Sequence, residues 1–220
     1  MQLGPTAHED TFTRDNLPDG DAQPDFLLED FPYPEYLNVG VALTDAMVEK
    51  GFGDHTALIG NGRQRTYKEL ADWTNRLAHA LVNDYGVCPG NRVLIRSANN
   101  PAMVACWLAA NKIGAVAVNT MPLLRAGELK DIIDIAEIKF ALCDSRMMDE
   151  IVACGKSSKF LKTIISFDGT ANHDAELDRA ALSKPVQFQA VRTGRDDVAL
   201  LGFTSGTTGK PKATMHPKRN

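Results

Sequence analysis

From Arg92 onward, short apolar runs alternate with stretches of helical length, and this alternation constrains the fold more than anything else in the 220 residues. Val93-Leu94-Ile95 reads as a strand. Pro101 opens a helix that runs through Trp107 to Lys112, and Gly114 stops it. Ala115-Val116-Ala117-Val118 is the next strand, Glu128 to Glu137 a helix, Lys139 to Cys143 a strand, Ser145 to Ala153 a helix, and Thr163 to Phe167 a strand. A polar stretch from Asp168 to Lys184 carries a short helix, and residues 185–197 lead to a last apolar run, Val198 to Phe203, bounded by Asp196-Asp197. Strands this apolar must be covered on both faces. The pattern therefore predicts an α/β fold, a doubly wound, mostly parallel sheet flanked by helices.

Upstream the chain has a different character. Residues 1–33 are polar, rich in Asp and Pro, and aperiodic. They predict an extended arm that lies on the body or stays partly disordered, with Phe26, Phe31 and Tyr33 as docking groups. Residues 34–220 form the body. Asn38 is placed to cap a helix running to about Lys50, with Val41, Leu43, Met47 and Val48 inward and Gly51 and Gly53 as stops. Thr56 to Ile59 and Arg63 to Arg65 flank Asn61-Gly62, the dipeptide that favours a type I′ hairpin. Thr66-x-x-Glu69 is a capping box for an amphipathic helix to Tyr85, with Gly86 beyond it. Leu70, Trp73, Leu77, Ala80 and Leu81 give that helix its buried stripe, and His79 reads as an exposed or satisfied side chain rather than a ligand.

Charge and cysteine usage exclude several classes. A net charge of −4 gives no bulk electrostatic reason to bind nucleic acid. No 18-residue apolar run predicts a membrane span, and the first residues lack the apolar core of a leader. Cys88, Cys106, Cys143 and Cys154 lack metal-ligand spacing, so no metal site is assigned and they read as buried free thiols in a reducing cytoplasm.

The chemistry sits in Thr204-Ser205-Gly206-Thr207-Thr208-Gly209-Lys210-Pro211-Lys212, directly after the last predicted strand. Glycines let backbone approach a ligand closely, successive N–H groups make an anion-binding concavity, hydroxyls add donors and lysines add mobile charge. The string describes a phosphate cradle. It is not a Walker A loop, because Gly206 and Gly209 are too close and proline follows Lys210. The competing reading is a flexible, hydroxyl-rich surface turn.

The loop resembles the phosphate loop of the adenylate-forming superfamily, which comprises acyl- and aryl-CoA synthetases, luciferases and the adenylation domains of peptide synthetases. Arg65-Thr66-Tyr67-Lys68-Glu69-Leu70 resembles its early T-Y-x-E-L motif, and Leu108 to Val116 its L-x-A-x-x-x-G-A motif. Asp10 to Pro18, Pro34 to Asn38 and Lys212 to His216 are most similar to 2-aminobenzoate- and benzoate-CoA ligases. The resemblance implies attack of a carboxylate on ATP to give an acyl-adenylate and pyrophosphate, then thioester formation with coenzyme A, with Mg2+ assisting. It implies phosphate contacts from Thr204, Ser205, Thr207, Thr208 and Lys210, a loop shape permitted by Gly206 and Gly209, an exit anchored by Lys212, and catalytic weight on Lys210. His216 falls where the family has histidine, with a substrate-side or a structural role.

The chain departs from the family in stopping eight residues after Lys212, in Ala213 where glycine is commoner, and in Pro217 to Asn220. The segments that bind adenine and the acid, the Mg2+-binding glutamate and the mobile C-terminal domain have no counterpart here. The expectation is the N-terminal portion of an AMP-binding domain, inactive alone. The alternative is a non-catalytic phosphate-binding module, or a folded fragment that self-associates as a homodimer through uncovered apolar surface.

Overall fold

A computed structural model describes residues 3–22, 32–170, 172–204 and 211–219. Phe26 and Phe31 lie outside the described residues. Residues 4–15 rest on the body and include one helical turn, α1 (Phe12–Asp15). Asn38 caps α2 (Val39–Ala42), its side chain accepting from the Val41 N–H at 3.2 Å. The helix ends there. α3 (Asp45–Met47) and a π-type turn over Val48–Phe52, wound around Gly51 at φ 87°, complete the segment. The single helix expected as far as Lys50 is thus broken, and Leu43 is exposed rather than inward. The inward group is Thr44, whose hydroxyl donates to the Gly40 carbonyl at 2.6 Å, a local bond that competes with helix continuation.

β1 (Thr56–Gly60) and β2 (Arg63–Thr66) form an antiparallel hairpin, and Asn61 and Gly62 take φ of 54° and 70°, as a type I′ turn requires. Thr66 then opens α4 (Tyr67–Asn83) with a complete capping box. Its hydroxyl accepts from Glu69 N at 3.2 Å and the Glu69 carboxylate accepts from Thr66 N at 2.8 Å. Thr66→Ala is expected to lower unfolding free energy by about 1 kcal/mol, read from urea melts. Leu70, Leu77, Ala80 and Leu81 are buried, and His79 Nε2 meets the Gln187 carbonyl at 2.7 Å.

The rest of the chain is β3 (Arg92–Arg96), α5 (Pro101–Lys112), β4 (Val116–Thr120), α6 (Ala126–Ile135), β5 (Phe140–Asp144), α7 (Met148–Gly155), β6 (Thr163–Phe167), α8 (Glu176–Leu182), β7 (Val198–Thr204) and β8 (Lys212–Pro217). The strands make one six-stranded sheet ordered β6-β5-β3-β4-β7-β8, parallel except for β8 against β7. Alternate residues of β3 serve opposite cores. Val93 and Ile95 pack with Leu77 and Leu81 of α4, with α5, and with Leu177 of α8. Leu94 packs with Leu129 and Ile133 of α6 and Ile151 of α7. Each such side chain, buried on a covered face, contributes roughly 1.5–3 kcal/mol.

Two features depart from the expected pattern. β8 returns antiparallel at the sheet edge, where no strand was expected. Lys112, at the end of α5, points inward and is fully buried, held by Asn75 Oδ1 at 2.5 Å and Asp45 at 2.6 Å. A Cβ on Gly40 would lie 2.5 Å from the Lys112 side chain, so α2 can pack there only with glycine at that position. Cys106, Cys143 and Cys154 are buried free thiols and Cys88 is half-buried; burial pushes the Cys143 thiol up to about 12. Among the described residues, no helix is long and apolar enough to cross a membrane.

Candidate functional site at the carboxyl edge of the sheet

β3 runs into α5 on one face of the sheet and β4 into α6 on the other. The connections leaving these two neighbouring strands therefore diverge, and ligands of open α/β sheets bind in the crevice outside such strand ends. β7 lies parallel to β4 with Leu200 level with Ala117, so its carboxyl end emerges beside this crevice. The predicted phosphate loop starts there.

The strands that flank the loop in sequence, β7 and β8, pair as an antiparallel hairpin. Thr204 pairs with Lys212, Phe203 with Ala213, Gly202 with Thr214, Leu201 with Met215 and Leu200 with His216. Thr204 and Lys212 therefore face each other across the mouth, both exposed. Ser205, Gly206, Thr207, Thr208, Gly209 and Lys210 lie outside the described residues. His216 sits further down β8, half-buried, its Nε2 3.4 Å from where a Cβ on Gly202 would stand. It is set back from the mouth and packs on the sheet.

The neighbouring strand ends carry polar groups that sequence reasoning missed. Thr120, at the end of β4, is buried, and its hydroxyl has no hydrogen-bond partner among the described residues. An orphaned donor at this strand end is compatible with a polar ligand in the crevice. Arg96, buried at the end of β3, donates to the carbonyls of Met121 at 3.3 Å, Pro122 at 2.8 Å and Met147 at 3.3 Å, tying down the loops after β4 and β5. Asp144, at the end of β5, accepts from Ser97 Oγ at 3.3 Å and from Arg146 Nε and NH2 at 2.9 and 2.6 Å. Burial pushes this carboxyl up, but the bonds and charge of Arg146 more than offset it and hold the group below the usual range. A Cβ on Gly169 would lie 1.9 Å from Asp144, so the β6–α8 connection also closes against it. The readable signal was the charged residue at each end of Arg92-Val93-Leu94-Ile95-Arg96.

The mouth carries a threonine and a lysine, paired across the strands and both exposed, residue types suited to phosphate oxygens. The described residues contain no group of three or more His, Cys, Asp or Glu able to hold a metal ion, and no Mg2+ ligand is assigned among them.

A family model described as "AMP-binding enzyme" matches residues 46–220. A 3-hydroxybenzoate–CoA ligase of Aromatoleum sp. (strain CIB) is 27% identical over 180 residues, covering 82% of this chain and 34% of that protein. A 3-oxocholest-4-en-26-oate–CoA ligase of Rhodococcus rhodochrous is 32% identical over 168 residues, covering 74% and 30%. The chain spans about a third of the length of the curated relatives it matches. Among solved structures, an anthranilate CoA ligase in complex with anthranoyl-AMP superposes with a TM-score of 0.76 at 23% identity, over 85% of this chain and 36% of that one, a likeness of fold. ATP-bound MatB from Rhodopseudomonas palustris gives 0.68 at 27% identity, over 82% and 35%.

Proposed function

Because the chain belongs to the AMP-binding enzyme family, we propose that it forms the phosphate-binding part of an ATP-dependent acid–CoA ligase whose substrate is an aromatic carboxylic acid. The observation that carries this reading is the hairpin itself. A hydroxyl- and lysine-rich tip is held between Thr204 and Lys212, beside the crevice at the carboxyl ends of β3 and β4.

In this reading ATP supplies the activated phosphorus that a carboxylate attacks, and pyrophosphate leaves. Negative charge grows on the departing oxygens, so donors held in place beforehand stabilise the transition state more than the ground state. Thr204, Ser205, Thr207, Thr208 and Lys210 are assigned to those oxygens, Gly206 and Gly209 to the loop's close approach, and Lys212 to the charge at its exit. The strand pair keeps Thr204 and Lys212 from moving apart, which lowers the ordering cost of closing the cradle on its ligand. His216 is assigned a packing role against Gly202, given its place below the mouth. The preference for an aromatic acid such as benzoate or 2-aminobenzoate is supported by the hydroxybenzoate–CoA ligases among the relatives.

The test is acid-dependent exchange of pyrophosphate into ATP by the protein that carries this chain. A panel of benzoate, 2-aminobenzoate, 3-hydroxybenzoate, acetate and a long-chain fatty acid separates the substrate classes. Exchange supported best by an aromatic acid is the expected result. Exchange driven only by acetate or the fatty acid would overturn the aromatic assignment, and exchange with none of the acids would overturn the ligase.

A further inference from the structure

The root of β7 in the loop-bearing hairpin is tied to residues 4–14, and the root of β8 is tied in turn to the same two aspartates. Before β7, Asp196 accepts from the Gly4 N–H at 2.7 Å. Asp197, fully buried, accepts from Thr6 Oγ1 at 2.5 Å, Ala7 N at 3.2 Å, Arg14 NH2 at 3.3 Å and Gly194 N at 2.9 Å. After β8, Lys218 N donates to the Asp197 carbonyl at 3.0 Å and Arg219 pairs with Asp196 at 2.8 Å. A Cβ on Gly194 would lie 2.0 Å from the Pro5 carbonyl, so the contact is close as well as polar. The other end of the segment is anchored separately, by Asp10 on Arg92 at 2.5 Å and by the Arg92 guanidinium over the Phe12 ring at 4.3 Å.

Two titratable groups sit inside this junction with no side-chain hydrogen bonds to hold their charge. His8 is buried, and among the described residues neither ring nitrogen has a partner; the same is true of the buried Lys218 ammonium. The charged groups facing His8 are Asp197 at the root of β7, Lys218 after β8, and Asp10 and Arg14 on its own segment. The loop at Gly90 contributes only backbone, the Pro89 carbonyl accepting from Glu9 N and Asp10 N.

We propose that residues 4–14 are a clamp that fixes the roots of the β7–β8 hairpin, and that protonation of His8 releases it. The clamp would hold the hairpin whether or not its tip binds phosphate. Burial, reinforced by Lys218 and Arg14 and opposed by Asp197 and Asp10, pushes the His8 imidazole down to about 4. A released segment exposes His8 to water, where it titrates near 6.5. Between these values the released form binds a proton that the seated form refuses. Seating is therefore fully stable above about pH 6.5 and weakens as pH falls toward 4. Asp197 and Asp10 are both held below the usual carboxylate range, and Lys218, pushed down to about 8 by burial, changes charge only above this window.

The test is amide hydrogen exchange at pH 7 and pH 5, on the full 220-residue chain and on His8→Gln. In the unmodified chain, protection of residues 4–14 and of both hairpin strands should fall together, by about 20-fold between pH 7 and pH 5. Arg92–Arg96 and Phe140–Asp144 should stay the slowest amides of the chain. In His8→Gln the fall should vanish. Hairpin strands that stay as protected as Arg92–Arg96 while residues 4–14 exchange would overturn the clamp, and the same pH profile in His8→Gln would overturn its trigger. Should His8→Gln fail to fold, proton NMR of the His8 ring decides the trigger: a midpoint near 4 supports it, and one near 6.5 overturns it.

Discussion

Asp197→Ala is expected to lower the unfolding free energy by about 3–5 kcal/mol, the range for removing one partner of a buried charge cluster. The carboxylate is fully buried and takes hydrogen bonds from a hydroxyl, two backbone N–H groups and a guanidinium. Burial pushes its proton affinity up, but the charge of His8 where that ring is protonated, and the hydrogen bonds from Thr6, Ala7 and Gly194 at any pH, more than offset that. Alanine leaves the Thr6 hydroxyl and the Ala7 and Gly194 N–H groups in the interior without their acceptor, and the Lys218 ammonium without its opposing charge. Asp197→Asn keeps one acceptor oxygen but no charge and is expected to lose less. Urea denaturation of the three proteins measures this. A loss under about 1 kcal/mol for Asp197→Ala would mean that water satisfies these donors and that the junction is not a closed one.

The second large effect concerns chemistry. In a protein active in acid-dependent ATP–pyrophosphate exchange, Lys210→Ala is expected to cut the exchange rate by about 10²–10³-fold, as for other removals of a donor aimed at developing negative charge. Lys210→Arg keeps the charge but changes the geometry from a compact ammonium to a planar fork, so it should restore only part of the rate. Far-UV circular dichroism and urea melts should be unchanged, because Lys210 belongs to neither β7 nor β8 in sequence. Exchange within twofold of the unmodified protein would remove Lys210 from the cradle.

Much of the fold was legible because its signals are local. Val93-Leu94-Ile95 can only be a buried strand, Asn61-Gly62 takes the two positive φ angles of its turn, and Thr66 and Glu69 satisfy each other's backbone. β8 was not legible. Lys212-Ala213-Thr214-Met215-His216-Pro217 has no apolar run, and it is a strand because β7 offers it an open edge. The break after Ala42 was hidden for a related reason, since it depends on Thr44 turning back to Gly40 and on Lys112 packing against Gly40. Buried charges were the largest gap. Arg92, Arg96, Lys112 and Asp197 sit inside, whereas residue type alone places them outside, and only their distant partners explain the burial. Within the candidate site, the string from Thr204 to Lys212 was legible as a donor set. That Thr204 and Lys212 face each other, and that Arg96 and Asp144 shape the neighbouring loops, depended on pairings distant in sequence.

The most direct measurement of the cradle is a titration of the 15N-labelled chain with inorganic pyrophosphate, followed by NMR. The account predicts saturable shifts of the Thr204 and Lys212 amides, little change at Thr163–Phe167 on the far edge of the sheet, and loss of saturation in Lys210→Ala. Shifts centred on another basic surface, such as Arg63 and Arg65, or an unchanged titration in Lys210→Ala, would contradict it.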